Sequence, residues 1–167
     1  MATITLKGNP INTTGELPKV GAPAPDFTLV KTDLSAVSLK DFAGKKVVLS
    51  IFPSVDTPTC AASVRRFNAE LDKLGDVVVL CASADLPFAH ARFCGVEGLD
   101  RVLSVSDLRD RDFGKRYGVA FADGPLVGLL ARAVVVIGAD GVVKHTQLVG
   151  EVAEEPDYAT ALAAAKA

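Results

Sequence analysis

From residue 27 onward, short runs rich in β-branched residues alternate with longer runs that have helical spacing. Strands that alternate with helices in this way predict a sheet with parallel neighbours. Late in the chain, Asp140-Gly141 stands between two β-branched runs and predicts a hairpin, which adds an antiparallel pair. The predicted strands are 27–30, 45–52, 77–82, 102–106, 133–137 and 142–148, and the predicted helices are 58–74, 87–94, 112–117 and 159–167.

This alternation predicts an α/β fold of the thioredoxin-like kind, with a mixed central sheet and helices on both faces. The first 25 residues stand apart. Residues 4–6 and 12–14 can pair as a small hairpin across Gly8-Asn9-Pro10, and the run 21–25 then imposes an extended connector. We expect one domain over residues 1–167, because its length is close to the roughly 150 residues of a typical domain.

Composition excludes several classes of protein. Hydrophobic residues make up 49% of the chain and charged residues 23%, which excludes disordered, collagenous and coiled-coil chains. Lysine and arginine number 18 against 20 acidic residues, and no basic run exceeds a pair, so we expect no nucleic-acid partner. We find neither a signal-peptide pattern nor an apolar run near the roughly 20 residues of a membrane span. We therefore expect a cytoplasmic protein with no membrane partner.

The chain has three cysteines, Cys60, Cys81 and Cys94. An odd number in a reducing compartment predicts free or redox-active thiols rather than a disulfide framework. His90 and His145 have no metal-ligand spacing with a cysteine, and we find no haem, flavin or dinucleotide fingerprint. The expected chemistry needs no metal and no cofactor. Cys81 closes an apolar run and is predicted to be a buried, inert thiol.

The segment from Pro53 to Cys60 lies between a predicted buried strand and the longest predicted helix, where α/β proteins place their chemistry. Thr57 followed by Pro58 predicts a helix start, with the threonine as N-cap. Cys60 is then the third helical residue. The unpaired N–H groups and the positive end of the helix dipole favour a thiolate at that position.

A purely structural role for Cys60 is the alternative. The cysteine precedes an apolar stripe with helical spacing, formed by Val64, Phe67, Leu71 and Leu74. On spacing alone, a small buried core residue is favoured, since free cysteine is among the most buried residue types. The flanking loop favours a functional role, because a core position does not explain two prolines and two threonines within eight residues.

This loop and several later motifs resemble those of the bacterial thiol peroxidases, a family of atypical two-cysteine peroxiredoxins. The resemblance covers nearly the whole chain, including the N-terminal hairpin. Its stretches are Ser54–Ala61, Ser63–Asn68, Phe93–Gly95 and the run 130–133. Peroxiredoxins share a proline, a threonine three residues before the reactive cysteine, and a distant arginine. Those places are taken by Pro53, Thr57, Cys60 and Arg132.

The resemblance implies that the chain reduces hydrogen peroxide and organic hydroperoxides to water and alcohols. Cys60 would become a sulfenic acid, Cys94 would resolve it as an intramolecular disulfide, and thioredoxin would recycle the enzyme, which would be a homodimer. The chemistry agrees, because a thiolate attacks the O–O bond and its sulfenic acid condenses with a second thiol. The fixed N–H groups of Arg132 suit the charge that moves onto the leaving oxygen.

The other site residues keep two interpretations each. The Thr57 hydroxyl can accept an N–H as a cap while donating its proton to the thiolate or peroxide. Pro53 lacks an N–H and can shield the thiolate, or is a plain turn proline. Without the resemblance, Arg132 would be a strand-end arginine in a surface ion pair. Cys94 falls in the last turn of the predicted helix 87–94, just before Gly95, where the dipole disfavours a thiolate.

Three other functions compete with the peroxidase. A peroxide sensor would pass its oxidation to a partner protein without sustained turnover. A disulfide carrier is disfavoured because such proteins use a C-x-x-C motif, and Thr57 stands three residues before Cys60. A binding module with buried filler cysteines is the remaining alternative.

Overall fold

The structure, a computed structural model, describes residues 1–167 apart from the side chain of residue 72. Its strands and helices follow the alternation that the sequence predicts. The strands are β1 (Thr3–Leu6), β2 (Asn9–Asn12), β3 (Thr28–Lys31), β4 (Ala36–Ser38), β5 (Lys46–Ile51), β6 (Val77–Ser83), β7 (Leu103–Ser106), β8 (Ala133–Ile137) and β9 (Val143–Leu148). The helices are α1 (Pro58–Glu70), α2 (Pro87–Glu97), α3 (Asp112–Arg116) and α4 (Tyr158–Lys166).

Seven strands form one mixed sheet in the order β4-β3-β7-β6-β5-β8-β9. The central strands β5, β6 and β7 are parallel. Antiparallel strands extend this centre on both sides, with β8 and β9 beyond β5 and β3 and β4 beyond β7. The predicted mixed sheet is confirmed. Strand β4 is missing from the prediction because three residues are too few to show a period of two.

Each face of the sheet carries its own apolar core. Along β5, Val47 and Leu49 point into one cluster and Val48 points into the other, as the alternation of a strand requires. Helix α3 and the N-terminal hairpin pack on the first face, and α1, α2 and α4 on the second. The predicted stripe of α1 is buried, at Val64 and Phe67 and on through the short 3-10 turn that follows.

The N-terminal hairpin forms, but its register differs from the predicted one. Strand β1 pairs with Asn9–Asn12 rather than with residues 12–14, and Pro10 lies inside β2 opposite Thr5. The turn is the pair Lys7-Gly8, with φ of 51° and 80°. Two positive φ values match the right-handed twist of a two-residue hairpin, which moves the turn toward the N-terminus. A proline is tolerated there because the ribbon has only two strands.

Helix α2 is longer than the sequence predicts. It runs through Gly95 to Glu97 and ends at Gly98, whose φ is 68°. The N–H groups of Gly98 and Leu99 both donate to the carbonyl of Cys94. The left-handed glycine that ends a helix is therefore Gly98, and Gly95 is an interior residue.

Gly118 is predicted to be the most demanding glycine in the chain. Its φ is 69°, and a Cβ there would overlap the backbone of Glu16. Gly141 has a similar φ of 79° but has no atom within 4 Å of its Cβ position. Gly141→Ala should therefore cost only the left-handed strain, about 1–2 kcal/mol. Gly118→Ala should cost a further ~1–3 kcal/mol, because the segment around Glu16 must move.

Urea unfolding of both variants measures the difference. Equal losses of unfolding free energy would show that the segment around Glu16 is not held against Gly118.

Candidate active site

Cys60 lies in the first turn of α1, where the loop after β5 delivers it. Thr57 is extended, with φ of −97° and ψ of 144°, and its Oγ1 accepts a hydrogen bond from the Cys60 N–H at 3.3 Å. Pro58 takes the first helical position, where its missing N–H costs nothing. The predicted cap is confirmed, and it orients the backbone that carries the thiol.

The sulfur of Cys60 faces the guanidinium of Arg132. Arg132 Nη1 donates to Cys60 Sγ at 3.3 Å, and both residues are buried. Its Nε and Nη2 donate to the carbonyl oxygen of Val152 at 3.1 and 2.9 Å. The interpretation of Arg132 as a surface ion-pair residue is wrong, because only 2% of the residue is exposed.

No carboxylate forms an ion pair with Arg132 among the side chains that the structure describes. A buried guanidinium without a carboxylate partner stabilises any negative charge that it contacts. The atom that it contacts here is the Cys60 sulfur. An anion that forms on or beside this sulfur would therefore meet a guanidinium N–H that no described carboxylate neutralises.

The hydroxyl of Thr57 serves the loop rather than the sulfur. Its Oγ1 donates to the carbonyl oxygen of Ser54 at 3.1 Å while it accepts from the Cys60 N–H. A hydroxyl has one proton, so this state does not direct it at the thiolate as the sequence led us to expect. The reason is local, since the turn also places the Thr57 N–H 3.2 Å from the same carbonyl.

A cavity of about 440 Å³ opens beside the loop and helix start that carry Cys60. Three of the predicted site residues line it, namely Pro53, Thr57 and Arg132. Its other walls are mostly aliphatic and come from the N-terminal hairpin, the loop before β8 and the segment after β9. They include Leu6, Leu126, Leu129 and Val152. Cys60 contacts both Thr57 and Arg132. The structure thus brings together four of the five predicted site residues, and Cys94 is the exception.

Cys94 lies elsewhere, on α2. It is half-buried, and its Sγ lies 3.2 Å from Ser104 Oγ on β7. All three cysteines are free. Cys81 on β6 is fully buried, as predicted, and burial raises the pKa of its thiol, with a further rise from the nearby Cys94. Cys81 is therefore a poor nucleophile.

Sequence reasoning missed two carboxylates beside the site. Asp85 follows β6 and binds the loop that leads to Cys60. Its place after a parallel strand, at the same sheet edge as that loop, is the signal that could have found it. Glu151 follows β9, and nothing in the spacing of the sequence points to it. Both act through hydrogen bonds between distant segments, which a local pattern does not show.

Glu151 holds the hairpin against the wall of the cavity. Its carboxylate accepts hydrogen bonds from Thr5 Oγ1 at 2.7 Å and from the backbone N–H groups of Lys7 at 2.9 Å and Gly8 at 3.1 Å. These bonds lower the pKa of Glu151 to about 2. The next residue, Val152, supplies the carbonyl that orients Arg132. The neighbouring residues Glu151 and Val152 therefore hold the hairpin turn and the Arg132 side chain, respectively.

Two kinds of feature are absent from the part of the chain that the structure describes. No helix in the described part of the chain is both long and apolar enough to cross a bilayer. The described side chains also contain no group of three histidine, cysteine or acidic residues that could hold a metal ion.

A thioredoxin-like fold that holds a helix-start cysteine against a buried arginine defines a thiol-dependent redox enzyme. The comparisons with known proteins make this class specific. The Redoxin family matches residues 19–162. The thiol peroxidases of Mycobacterium tuberculosis and Mycobacterium bovis are 60% identical over 164 residues, which covers 98% of this chain and 98% of theirs.

Solved structures agree with these sequence relatives. A peroxiredoxin-like protein from Aquifex aeolicus has a TM-score of 0.94 and 38% identity, over 99% of this chain and 96% of its own. A thiol peroxidase from Chromobacterium violaceum has a TM-score of 0.88 and 25% identity, over 95% and 91%. The chain belongs to the thiol peroxidase family of peroxiredoxins. It is accordingly a peroxidase of the oxidoreductase class.

The Glu151 support should fail in acid. Because its pKa in the folded chain lies below the ordinary 4.5, the stabilisation is complete above that ordinary value and is lost as pH falls toward about 2. Glu151→Gln should remove part of the pH dependence of unfolding over this range. At neutral pH it should speed amide exchange at Lys7 and Gly8, whose N–H groups lose an ionised acceptor.

Urea unfolding at pH 7 and pH 3, with amide exchange at pH 7, tests this. The exposed neighbour Glu154→Gln is the control and should leave the two amides unchanged. Equal exchange in Glu151→Gln and the unsubstituted chain would contradict the role of the carboxylate.

Proposed function

We propose that Cys60 is the peroxidatic residue of an enzyme that reduces hydrogen peroxide and organic hydroperoxides. The Cys60 thiolate attacks the terminal oxygen, the O–O bond breaks, and the released alkoxide or hydroxide takes a proton to become alcohol or water. The sulfur is left as a sulfenic acid. The observation that carries the proposal is the contact of Arg132 Nη1 with Cys60 Sγ at 3.3 Å, with no carboxylate among the described side chains to neutralise the guanidinium.

In this proposal Arg132 serves both the ground state and the transition state. Val152 fixes two of its N–H groups, so the guanidinium needs little reorganisation as charge moves from sulfur to the leaving oxygen. Thr57 holds the helix start, and Pro53, buried at the cavity wall without an N–H, keeps one donor away from the thiolate. Neither role needs a metal or a cofactor.

The aliphatic cavity supports organic hydroperoxides as substrates. Leu6, Leu126 and Leu129 line a space of about 440 Å³, which is far larger than hydrogen peroxide needs. An alkyl group would lose contact with water there, at roughly 25 cal/mol per Å² of apolar surface. Hydrogen peroxide would use the same reacting groups without that gain.

Cys94 is the proposed resolving residue. Its thiol attacks the Cys60 sulfenic acid, an S–S bond forms, and water leaves. The two sulfurs bond different partners in this state, Arg132 and Ser104. A disulfide needs Cα atoms within about 4.4–6.8 Å, so we infer that α1, α2 or both open locally. In α2 the interior Gly95 makes the last turns the cheaper ones to open.

We propose thioredoxin as the reductant, which would open the disulfide by thiol exchange. We also propose that the chain acts as one domain within a homodimer, in the cytoplasm, with neither nucleic acid nor membrane as partner. Three free thiols suit a reducing compartment. The thiol peroxidases at 60% identity support the choice of reaction.

Mass spectrometry after one equivalent of peroxide tests the reaction. We expect a disulfide that joins Cys60 and Cys94, and a stable Cys60 sulfenic acid in Cys94→Ser. Cys60→Ser should be inactive, whereas Cys81→Ser, the matched control, should keep its activity because Cys81 is buried and protonated. Steady NADPH consumption with thioredoxin and its reductase separates a peroxidase from a sensor. An internal disulfide in Cys94→Ser would refute the assigned resolving residue.

Arg132→Lys should fold but lower kcat/KM for peroxide by about 10²-fold. Lysine keeps the positive charge but lacks the planar set of N–H donors of a guanidinium. It therefore cannot bind the Val152 carbonyl and the Cys60 sulfur with the same geometry. Arg116→Lys is the control, since that side chain is half exposed on α3. Steady-state kinetics and thermal melting of both variants are the measurements. Unchanged kinetics in Arg132→Lys would remove the guanidinium geometry from the mechanism.

A further inference from the structure

Asp85, in the loop between β6 and α2, ties together segments that the reaction must move. Its carboxylate accepts three hydrogen bonds, from Ser54 Oγ at 2.8 Å, from the Val55 N–H at 2.9 Å and from Ser83 Oγ at 2.5 Å. Two of these donors belong to the loop that leads to Cys60. Among the described side chains no basic group forms an ion pair with Asp85, so neutral donors alone satisfy the carboxylate.

The bonds to the loop reach Cys60 in two further steps. The carbonyl oxygen of Ser54 accepts from the Thr57 N–H at 3.2 Å and from Thr57 Oγ1 at 3.1 Å. Thr57 Oγ1 in turn accepts from the Cys60 N–H. Asp85 therefore fixes the residue whose carbonyl orients the N-cap of α1.

The third bond connects Asp85 to α2, the helix that carries Cys94. Ser83 Oγ donates to Asp85, so its lone pairs accept from the Asp85 N–H at 3.2 Å and from His90 Nε2 at 3.0 Å. His90 on α2 is fully buried, and burial lowers the pKa of its imidazole, an effect that Asp85 partly offsets. A neutral His90 that donates from Nε2 leaves Nδ1 as an unpartnered acceptor, as observed.

Asp85 does not act as an N-terminal cap of α2. The N-cap of α2 is Leu86, and no side chain bonds to the free N–H groups of that helix start. Asp85 is adjacent to this position, yet its two oxygens bind Ser54, Val55 and Ser83. The contacts therefore serve the junction between the Cys60 loop and α2 rather than the end of one helix.

We propose that Asp85 is a positioning residue that holds the Cys60 loop in its reactive conformation and releases it when α2 moves to bring Cys94 to the sulfenic acid. This rests on the proposed roles of Cys60 and Cys94. In the reduced chain the carboxylate keeps α1 capped for reaction with peroxide. When the opening of α2 spreads from its last turns back to His90, one turn before Cys94, the link through Ser83 loosens, and the same carboxylate no longer restrains the loop. Peroxide reaction and disulfide formation therefore make opposite demands on Asp85.

The test measures those two steps separately in Asp85→Asn. An asparagine at this position presents an NH₂ group to donors, so it cannot accept all three bonds. We expect the second-order rate constant for oxidation of Cys60 by hydrogen peroxide to fall at least about tenfold. The rate constant for conversion of the sulfenic acid to the disulfide should stay the same or rise. Because the chain has no tryptophan whose fluorescence could report on the reaction, rapid quenching with mass spectrometry follows both steps.

Two more variants complete the experiment. Asp33→Asn is the matched control, because Asp33 also accepts from a neighbouring serine but lies in the exposed turn before β4. It should leave both rate constants unchanged. Ser54→Ala leaves the carboxylate in place and removes one of its three bonds, together with the bond that Ser54 Oγ accepts from the Asp56 N–H at 3.1 Å. We expect the same split with a smaller fall of about threefold. Ser54→Ala also tests the proposal if Asp85→Asn does not fold.

The outcomes separate the two proposals. If the rate constant for Cys60 oxidation in Asp85→Asn is within twofold of that of the unsubstituted chain, the positioning role is overturned and the proposed function is not. A parallel fall of both rate constants, together with the melting temperature, also overturns it, because general destabilisation then explains the loss. If peroxide does not oxidise Cys60 in the unsubstituted chain, the proposed function fails and the role of Asp85 fails with it.

Discussion

The contact between a buried guanidinium and a buried sulfur is the interaction around which this site is built. Removing a cation from water costs several kcal/mol, and here no described carboxylate repays that cost at Arg132. The Val152 carbonyl and the Cys60 sulfur share its N–H groups instead. Every element that positions the guanidinium, the Val152 carbonyl or the Cys60 sulfur therefore supports the site. That includes the N-terminal hairpin, because Glu151 binds its turn and adjoins Val152.

Much of the fold could be predicted because it depends on local patterns. The strands of the central sheet alternate with helices, and Thr57-Pro58 before Cys60 marks the start of α1, as the structure confirms. The errors occur where geometry between segments decides the outcome. Two positive φ values moved the hairpin turn to Lys7-Gly8, and Gly98 rather than Gly95 ended α2. A sequence pattern shows that a turn or cap is near but does not fix its residue.

The site residues also differ in whether local sequence could predict that they lie together. Cys60 and Thr57 are close in sequence, so helix geometry alone places them together. Arg132 is 72 positions from Cys60, and only the resemblance to a family connected them before the structure was known. Spacing favoured a buried core cysteine, and Cys60 is indeed buried. The two interpretations were never exclusive, since burial next to Arg132 is what gives the sulfur its electrostatic environment.

On the proposed reaction, oxidation itself weakens the interaction that holds the site closed. A thiolate and a guanidinium attract strongly in a buried site, because little water screens them. Once Cys60 is a neutral sulfenic acid, that attraction is reduced to an ordinary hydrogen bond. The first turn of α1 then loses its strongest contact and keeps neutral hydrogen bonds such as the Thr57 cap, worth about 1 kcal/mol. Local opening toward Cys94 thus becomes easier only after peroxide has reacted, which orders the two steps.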